Sequence, residues 1–282
     1  MKKTMRIVLS CILLAVLIVS AVQLLGQLED KAEGTSTYAD ALQIAHSAAP
    51  DQPTQPTLPQ EEPPEQTQPP QKERKSFRWV VAPIGEDAEA EELAQISLDA
   101  LREVAPQVAG WIRIPGTQVD YPLMAGDDND FFLTHTWDGT ENSVGSIFLE
   151  YRNTPDLTDF NTIIYGHNMM DGSMFAAIRS YSAQEYWQQH PYIYILTDEG
   201  VLRYEVFSAY LADKTSLTYQ ISFRQEQSRA EFLSDVTLRS AVDTGIVPEE
   251  TDRIVTLSTC SGAGYSSRWV IHGRLKMVQE VE

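Results

Sequence analysis

The sequence predicts a mainly β domain, either a closed barrel or a sandwich, that follows an unusual N-terminal region. Short apolar runs recur from residue 111 onward, and turn-forming residues separate them. Short strands at such spacing are typical of all-β barrels and sandwiches. The predicted strands are residues 111–114, 119–123, 146–149, 162–165, 192–197, 202–211, 253–258 and 269–277.

Helices are predicted at the start of this domain and between its strands. Leu93, Ile96, Leu101 and Val104 recur at helical spacing, and Pro106 lies where that helix would end. Further helical segments are predicted at residues 174–180, 183–190 and 223–240. The last of these would be inserted before the strand that contains the second cysteine of the chain.

The first 28 residues predict a membrane anchor. A basic start precedes an uncharged run over residues 7–22, and further leucines extend this run to Leu28. About 20 apolar residues span a bilayer, and a basic flank stays in the cytoplasm, so the rest of the chain would lie outside the cell. A cleaved signal peptide is the alternative, because residues 19–21 resemble a small-residue cleavage site.

Residues 29–76 are predicted to form a disordered, proline-rich stalk, which leaves residues 77–282 for the folded domain. Eight prolines lie between Pro50 and Pro70. Proline has a fixed φ and lacks a backbone N–H, so a segment this rich in proline is expected to be extended and semi-rigid. At ~3.1 Å per residue, it would hold the domain several tens of Å from the membrane.

The charge and the cysteine count exclude some classes of protein. The formal net charge of −19 argues against a nucleic-acid-binding protein, because phosphates are bound by clustered Lys and Arg. Cys11 lies within the apolar run, so Cys260 is expected to be a lone thiol, which is either reactive, paired between molecules or simply buried. The sequence has neither a zinc-ligand spacing nor a phosphate-binding glycine loop, so it predicts no cofactor and no metal.

Cys260 lies at the end of a predicted strand, next to a glycine-rich turn at residues 262–264. A side chain in this position is held firmly and is still open to a substrate. Arg268 begins the following strand, so a strand-loop-strand connection would bring its guanidinium group near the sulfur. Such a cation favours the thiolate and lowers the thiol pKa from its usual value of ~8.5. A structural cysteine and a surface arginine are the alternative.

His167 follows a second apolar strand, directly after Gly166. Imidazole is the side chain best suited to transfer protons near neutral pH. A turn histidine with a hydrogen-bonded ring is the alternative if His167 is considered alone. Together with a lone thiol outside the cytoplasm, however, His167 supplies the groups required for thiol-based acyl transfer.

These motifs resemble those of class B sortases. Residues 256–260, TLSTC, with Arg268 downstream, resemble the TLxTC strand and the arginine of the sortase signature. Residues 161–175, NTIIYGHNMMDGSMF, are similar to the histidine motif of class B, and residues 110–122 and 146–152 are similar to further class B segments. The resemblance covers about residues 90–278, nearly the whole folded part.

The resemblance implies an eight-stranded sortase β-barrel with an N-terminal helix and a helix inserted before the cysteine strand. It implies a cysteine transpeptidase in which Cys260, His167 and Arg268 meet in one groove. Cys260 would attack the carbonyl group of a threonine in the C-terminal sorting signal of a secreted protein. His167 would protonate the departing amine, and Arg268 would hold the substrate or the oxyanion. An amine of a cell-wall precursor peptide would then resolve the thioacyl enzyme.

The resemblance also predicts substrate-binding positions in that groove: Asn129, Leu133, Thr215, Tyr219, Ser258 and Thr259. One position departs from the family pattern. Some class B members carry an acidic residue directly after the cysteine to steady the arginine, and this chain has Ser261 there. What orients Arg268 is therefore open, with Glu150 and Asp252 as the acidic candidates.

The enzymatic alternatives are a cysteine peptidase, an L,D-transpeptidase and a pilin-polymerising sortase, and a non-catalytic surface adhesin is the alternative from another class. Papain-like peptidases place their cysteine before their histidine, whereas His167 precedes Cys260. The L,D-transpeptidase signature has glycine directly before its cysteine, where this chain has Thr259. The sequence leaves open the sorting motif and the accepting amine.

Overall fold

A computed structural model describes residues 2–47, 87–260 and 266–279, and it describes side chains for residues 12–47, 87–259 and 266–276. The strands in this part of the chain are β1 (Val108–Arg113), β2 (Asp120–Met124), β3 (Ile147–Leu149), β4 (Asn161–His167), β5 (Tyr192–Thr197), β6 (Gly200–Asp213), β7 (Ile254–Cys260) and β8 (Ser267–Gln279). They close into a barrel in the order β1-β2-β3-β4-β7-β8-β6-β5. The predicted barrel is confirmed, and the closed sheet excludes a sandwich.

Each predicted strand is found, with ends that differ by a few residues. The differences matter most at β4 and β7, which run two residues beyond their predicted ends. These two strands pair in parallel over their whole length, from Asn161 opposite Ile254 to His167 opposite Cys260. The predicted catalytic histidine and cysteine therefore belong to the strands themselves and not to the loops that follow them.

The barrel interior is filled by alternate side chains of each strand. Ile164, Leu257 and Ile271 lie opposite one another on β4, β7 and β8, and all three are fully buried. Because successive side chains of a strand point to opposite faces, Tyr165 and Ser258 point away from this core. The outward face of these three strands is therefore the surface on which the predicted site is built.

The predicted inserted helix is α5, the last helix of the chain. Among the described residues, the α-helices are α1 (Lys2–Ser47), α2 (Ala88–Leu93), α3 (Leu98–Val104), α4 (Gln184–Gln189) and α5 (Glu226–Leu238), and there are short 3-10 helices at Phe131–Leu133, Ala176–Ser182 and Leu217–Tyr219. Phe232 and Val236 of α5 pack with Phe207 and Val270 on the outward face of the sheet, in an apolar cluster separate from the barrel core. This packing holds the β6–β7 connection against the strands.

The prediction of a single helix over residues 93–104 is wrong, because the helix is interrupted in its middle. The structure divides it into α2 and α3, and Ser97 lies between them. The Ser97 hydroxyl accepts a hydrogen bond from the backbone N–H of Ala100. Serine at this position satisfies an N–H that the start of a helix leaves unpaired, and so it begins a new helix.

The disordered stalk predicted from residue 29 is wrong over residues 29–47. These residues continue α1, the helix that contains the apolar N-terminal run. Residues 30–45 of α1 form a docked segment that packs on the barrel, with Tyr38, Ala41 and Ala45 buried in the core. Ala and Tyr at helical spacing are a weak apolar signal, which is why the sequence did not reveal this packing.

The apolar helix α1 itself makes contact with the barrel domain. The backbone carbonyl of Ala45, near the end of α1, accepts a hydrogen bond from the N–H of Ser97, at the start of α3. The chain therefore reaches the barrel through α1 before the prolines begin. Residues 48–76 of the predicted stalk lie outside the described residues.

Candidate active site

The strand register brings together the backbones of the three predicted catalytic residues. His167 on β4 lies opposite Cys260 on β7. On the other side of β7, Ser258 lies opposite Val270 of β8, and the same antiparallel register continued by two residues places Arg268 opposite Cys260. His167, which is distant in the chain, and Cys260 and Arg268, which flank one turn, thus lie at one end of three adjacent strands.

Strand alternation also places these residues on one face of the sheet. Partners directly opposite each other across a ladder share a face, as do residues two apart along a strand. His167 and Arg268 therefore share the outward face with Ser258. The side chain of Cys260 and residues 261–265 lie outside the part of the chain that is described, and the predicted departure at Ser261 lies there too.

The His167 ring is held by a backbone carbonyl. Its Nε2 lies 2.7 Å from the carbonyl oxygen of Leu133. A carbonyl oxygen can only accept, so Nε2 carries a proton and donates it. Nδ1 is then the ring atom that is left to exchange a proton with a substrate. The loop after His167 folds back on it, with the N–H of Phe175 donating to the His167 carbonyl at 2.8 Å.

A cavity of about 330 Å³ lies on this outward face, beside Arg268. It is lined by Asn129, Leu133, Phe148, Glu150, Arg152, Tyr165, Lys214, Tyr219, Ser258 and Arg268. Four of the six predicted substrate-binding residues are in this lining. The Arg268 guanidinium also donates to the carbonyl oxygen of Ser267, with Nη1 at 3.2 Å.

Thr215 and Thr259 are not in the lining of this cavity. Thr215 is exposed, and its hydroxyl donates to the Asp213 carboxylate at 2.6 Å. Thr259 is buried, and its hydroxyl accepts from the backbone N–H of Trp269 at 3.1 Å. Because Thr259 is adjacent to Ser258 in β7, its side chain points to the opposite face of the sheet. Only its backbone is available to a substrate in the groove.

Glu150 organises the groove floor, a role that the sequence did not reveal. Its carboxylate is almost completely buried, and it accepts hydrogen bonds from Asn129 Nδ2 at 2.8 Å, Arg152 Nε at 2.7 Å and the Tyr165 hydroxyl at 3.0 Å. Burial alone would raise the pKa of Glu150, but these three donors outweigh it and lower the pKa. An acidic residue directly after the apolar strand β3 was the available signal.

The two acidic candidates for orienting Arg268 lie at different ends of the site. Glu150 lines the same groove as Arg268. The Asp252 carboxylate instead accepts from the backbone N–H of Glu249 at 2.8 Å, ahead of the first residue of β7. Since Cys260 is the last residue of β7, Asp252 lies at the far end of that strand and the structure excludes it as a partner of Arg268.

The opposite wall of the groove comes from the connection between β6 and α5. The Tyr219 hydroxyl is 2.9 Å from Ser258 Oγ, and its ring stacks on Tyr165 with centroids 6.4 Å apart. Lys214 adds a cation to the same wall. The described residues contain no group of three or more His, Cys, Asp or Glu side chains that could hold a metal ion.

A sortase-domain family model matches residues 112–276, which is more than half of the chain. This chain belongs to the sortase family. It is similar to sortase B of Listeria monocytogenes, with 36% identity over 179 residues, 62% of this chain and 72% of the relative. It is also similar to sortase B of Staphylococcus aureus, with 30% identity over 165 residues, 58% of this chain and 68% of the relative.

Solved sortase B structures agree with this assignment. The structure from B. anthracis has a TM-score of 0.67 and 26% identity, over 90% of this chain and 100% of that chain. The S. aureus sortase B–substrate complex has a TM-score of 0.62 and 29% identity, over 64% of this chain and 85% of that chain. The sortase is therefore of class B, a class of cysteine transpeptidases, and the resemblance seen in the sequence is confirmed.

Proposed function

We propose that this class B sortase uses Cys260 as nucleophile, His167 as proton donor and acceptor, and Arg268 as the cation that holds the substrate. The strand register supports these roles. Cys260 on β7 lies opposite His167 on β4, and the β7–β8 register, which is paired up to Ser258 and Val270, places Arg268 beside Cys260 when it is continued by two residues. The same register would be coincidental in a surface adhesin, where none of the three side chains has a chemical task.

In the first half of the proposed reaction, the Cys260 thiolate attacks the carbonyl carbon of a threonine in a sorting signal. The carbonyl oxygen becomes an oxyanion, and the Arg268 guanidinium stabilises it or holds the adjacent peptide. His167, protonated at Nδ1, gives that proton to the departing amine as the peptide bond breaks. A preorganised donor at an oxyanion contributes about 3 kcal/mol to such a step.

In the second half, an amine from a cell-wall precursor peptide attacks the thioacyl carbon. The neutral His167 ring takes a proton from this amine as the new peptide bond forms, and the Cys260 thiolate leaves. The secreted protein is thereby joined to the wall peptide, and the enzyme returns to its starting state. A peptidase would use water in this step, so the nature of the acceptor separates the two interpretations.

The groove is the proposed binding site for the sorting signal. Asn129, Leu133, Tyr219 and Ser258 line it, and they offer one amide, two hydroxyl groups and an apolar side chain. An extended peptide needs such a mixture, because its backbone groups require hydrogen-bond partners and its apolar side chains require cover. The partners proposed are secreted proteins with a C-terminal sorting signal and a cell-wall peptide amine.

We also propose that α1 anchors the enzyme in the cell membrane, with the barrel outside the cytoplasm. Its part from Ile12 onward is long and apolar enough to cross a membrane, and its apolar stretch is not buried against the barrel. A signal sequence has the same composition. The continuation of α1 into the docked segment favours the uncleaved anchor, because cleavage near residue 21 would cut through a continuous helix.

The test is a matched pair of cysteine substitutions in the full-length protein, solubilised in detergent micelles. We expect Cys260→Ala to abolish cleavage of sorting-signal peptides and formation of the thioacyl adduct, whereas Cys11→Ala retains both. Product masses with triglycine and hydroxylamine as acceptors distinguish transpeptidation from hydrolysis. Full activity of Cys260→Ala would refute the proposed mechanism, and a hydrolysed product alone would favour the peptidase.

A further inference from the structure

The docked segment of α1, residues 30–45, lies against the two loops that support His167. One is the β2–β3 connection at residues 125–146, in which Leu133 accepts the hydrogen bond from the His167 ring. The other is the loop at residues 168–175, which follows His167. The reaction proposed above makes no use of α1, so these contacts call for a separate explanation.

Tyr38 fixes a peptide that packs against His167. Its hydroxyl is buried and donates to the carbonyl oxygen of Gly145 at 2.5 Å. Gly145 has a φ of +61°, and a Cβ there would lie 2.9 Å from His167 Cδ2 and 2.8 Å from the Leu133 carbonyl oxygen. Only glycine fits so close to the ring. The Tyr38 hydroxyl therefore holds a peptide that touches both the imidazole and its hydrogen-bond acceptor.

Tyr38 also supports the loop on the other side of His167. Its ring packs edge-on against Tyr121, with centroids 5.1 Å apart and planes at 86°. The Tyr121 hydroxyl in turn accepts from the backbone N–H of Met174 at 3.2 Å. Met174 pairs with Asn168, the residue directly after His167. One side chain of α1 thus reaches both loops that border the ring.

Two polar contacts attach the start of the docked segment to the same loops. Lys31 forms an ion pair of 2.8 Å with Asp171 in the 168–175 loop. Burial alone would raise the pKa of Asp171, but hydrogen bonds from Lys31 and Ser173 outweigh it and lower this pKa to about 2. The Asp30 carboxylate accepts from the hydroxyl and the backbone N–H of Ser143 in the β2–β3 connection.

The contact between helix and loop is close enough to require a glycine. At Gly34, a Cβ would lie 2.7 Å from Asn142 Oδ1 and 2.9 Å from Val144 Cγ2. At Gly26, earlier in the same helix, a Cβ would meet nothing within 4 Å. Gly34 therefore permits the close contact with the loop and Gly26 has no such role, although the two glycines lie only about two turns apart in the same helix.

We propose that the docked segment of α1 is a positioning element that holds the His167 ring in its catalytic orientation and so couples the membrane anchor to the active site. The inference rests on the proposed role of His167. At a rise of 1.5 Å per residue, Tyr38 lies about 15 Å along the helix from Leu28, the last residue of the apolar run. The groove would therefore operate close to the membrane surface, at a height that a rigid helix sets.

The experiment compares Gly34→Leu with Gly26→Leu in the full-length protein in lipid nanodiscs. Both substitutions add the same side chain to the same helix, but only the first collides with the loop. We expect Gly34→Leu to lower kcat by roughly tenfold or more, since small displacements of a catalytic group have effects of that order. The KM for the sorting peptide is expected to stay within about twofold of the wild type, since the groove lining contains no residue of α1.

A second pair of variants distinguishes a loss of positioning from a loss of stability. Tyr38→Phe removes a buried hydroxyl from a backbone carbonyl near His167, and Tyr181→Phe removes one from the carbonyl of His190, away from the groove. We expect similar losses of thermal stability but a lower kcat and an altered pH profile of kcat only for Tyr38→Phe. A positioning role requires this difference, whereas a merely structural role would move stability alone.

The outcomes separate this inference from the function on which it rests. If Gly34→Leu and Tyr38→Phe behave like their matched controls while Cys260→Ala is inactive, the positioning role is wrong and the catalytic assignment survives. If Cys260→Ala or His167→Ala retains activity, the catalytic assignment itself fails. A loss of kcat in Gly34→Leu and Tyr38→Phe, with normal alkylation of Cys260 in the folded protein, supports both.

Discussion

The two walls of the groove are built in different ways. The strand wall is the outward face of β4, β7 and β8, which ends at His167, Cys260 and Arg268. Backbone pairing fixes its geometry, because β4 pairs with β7 as far as His167 and Cys260, and β8 pairs with β6 at Arg268. The loop wall is the β6–α5 connection at residues 214–225, which carries Lys214 and Tyr219. Side-chain hydrogen bonds, a backbone hydrogen bond from Lys214 to Ser266 and the packing of Tyr219 and Phe223 hold the loop wall to the barrel. In the proposed reaction, the reacting groups would lie on the rigid wall, and the loop wall would recognise the substrate.

A series of buried, hydrogen-bonded polar side chains lies beneath the loop wall and supports it. The Thr256 hydroxyl donates to Asn161 Oδ1 at 2.6 Å, so it accepts from His272 Nδ1 at 2.9 Å. His272 Nε2 accepts from the Tyr210 hydroxyl at 3.1 Å, and that hydroxyl lies 2.7 Å from Thr218 Oγ1. Thr218 is adjacent to Tyr219, so these polar contacts connect four strands of the barrel (β4, β7, β8 and β6) to the loop that lines the groove.

The largest effect is expected from Arg268→Lys, which tests the strand wall. A lysine keeps the charge but cannot form the planar, two-pronged contact of a guanidinium, so we expect kcat/KM to fall by roughly 100-fold. Arg274→Lys is the matched control, since Arg274 lies on the same strand and pairs with Glu205. Steady-state kinetics with a sorting peptide measure the effect. Equal activities of the two variants would remove Arg268 from the mechanism.

The sequence predicted the strand wall because its pattern is local. The apolar runs of β4, β7 and β8, each with a chemically distinct residue at one end, make Cys260, His167 and Arg268 candidates but leave their structural alternatives open. The parallel pairing of β4 with β7 is a long-range property that no local pattern contains, so the adjacency of these residues rested on the family resemblance. From the sequence, Glu150 is only one of two acidic candidates for orienting Arg268, because its hydrogen bonds with Asn129 and Tyr165 join different segments of the chain.

The docked segment shows the opposite case. Its burial depends on Tyr38 and two alanines, and alanine gives little hydrophobic signal in either a helix or a disordered segment. The prolines that follow then favour the prediction of a disordered stalk for all of residues 29–76. Similarly, one helix was predicted over residues 93–104 because the apolar spacing continues across Ser97, and only the hydrogen bond of its hydroxyl reveals the interruption.

An intermediate effect is expected from His272, which supports the loop wall. Burial lowers the pKa of His272 to about 3, from an ordinary value of 6.5. Its neutral form is therefore favoured in the folded protein, and this contribution to stability is complete above pH 6.5 and is lost as the pH falls toward 3. The expected slope of the free energy of unfolding is about 1.4 kcal/mol per pH unit for one proton.

The measurement is urea unfolding of the wild type, His272→Gln and His46→Gln between pH 7 and pH 4. Glutamine keeps hydrogen-bonding groups near Thr256 and Tyr210 but does not titrate. The slope of the free energy of unfolding with pH should therefore be smaller in His272→Gln, by about 1.4 kcal/mol per pH unit. His46→Gln is the matched control, because it makes the same substitution at an exposed histidine. Identical slopes in all three proteins would mean that His272 is not held neutral and that the series of polar side chains beneath the loop wall is wrong.

The smallest effect is expected where the two walls meet. The Tyr219 hydroxyl and Ser258 Oγ are 2.9 Å apart and form a direct hydrogen bond between loop wall and strand wall. A double-mutant cycle with Tyr219→Phe and Ser258→Ala should give a coupling of about 1 kcal/mol in stability, the usual contribution of such a bond.

Kinetically, we expect both single variants to raise KM for the sorting peptide by a few-fold without lowering kcat, because a loosened loop wall weakens recognition and leaves the reacting groups in place. A coupling near zero, or a loss in kcat equal to that in kcat/KM, would show that the two walls are not separate in function and that the loop contributes to the chemical step.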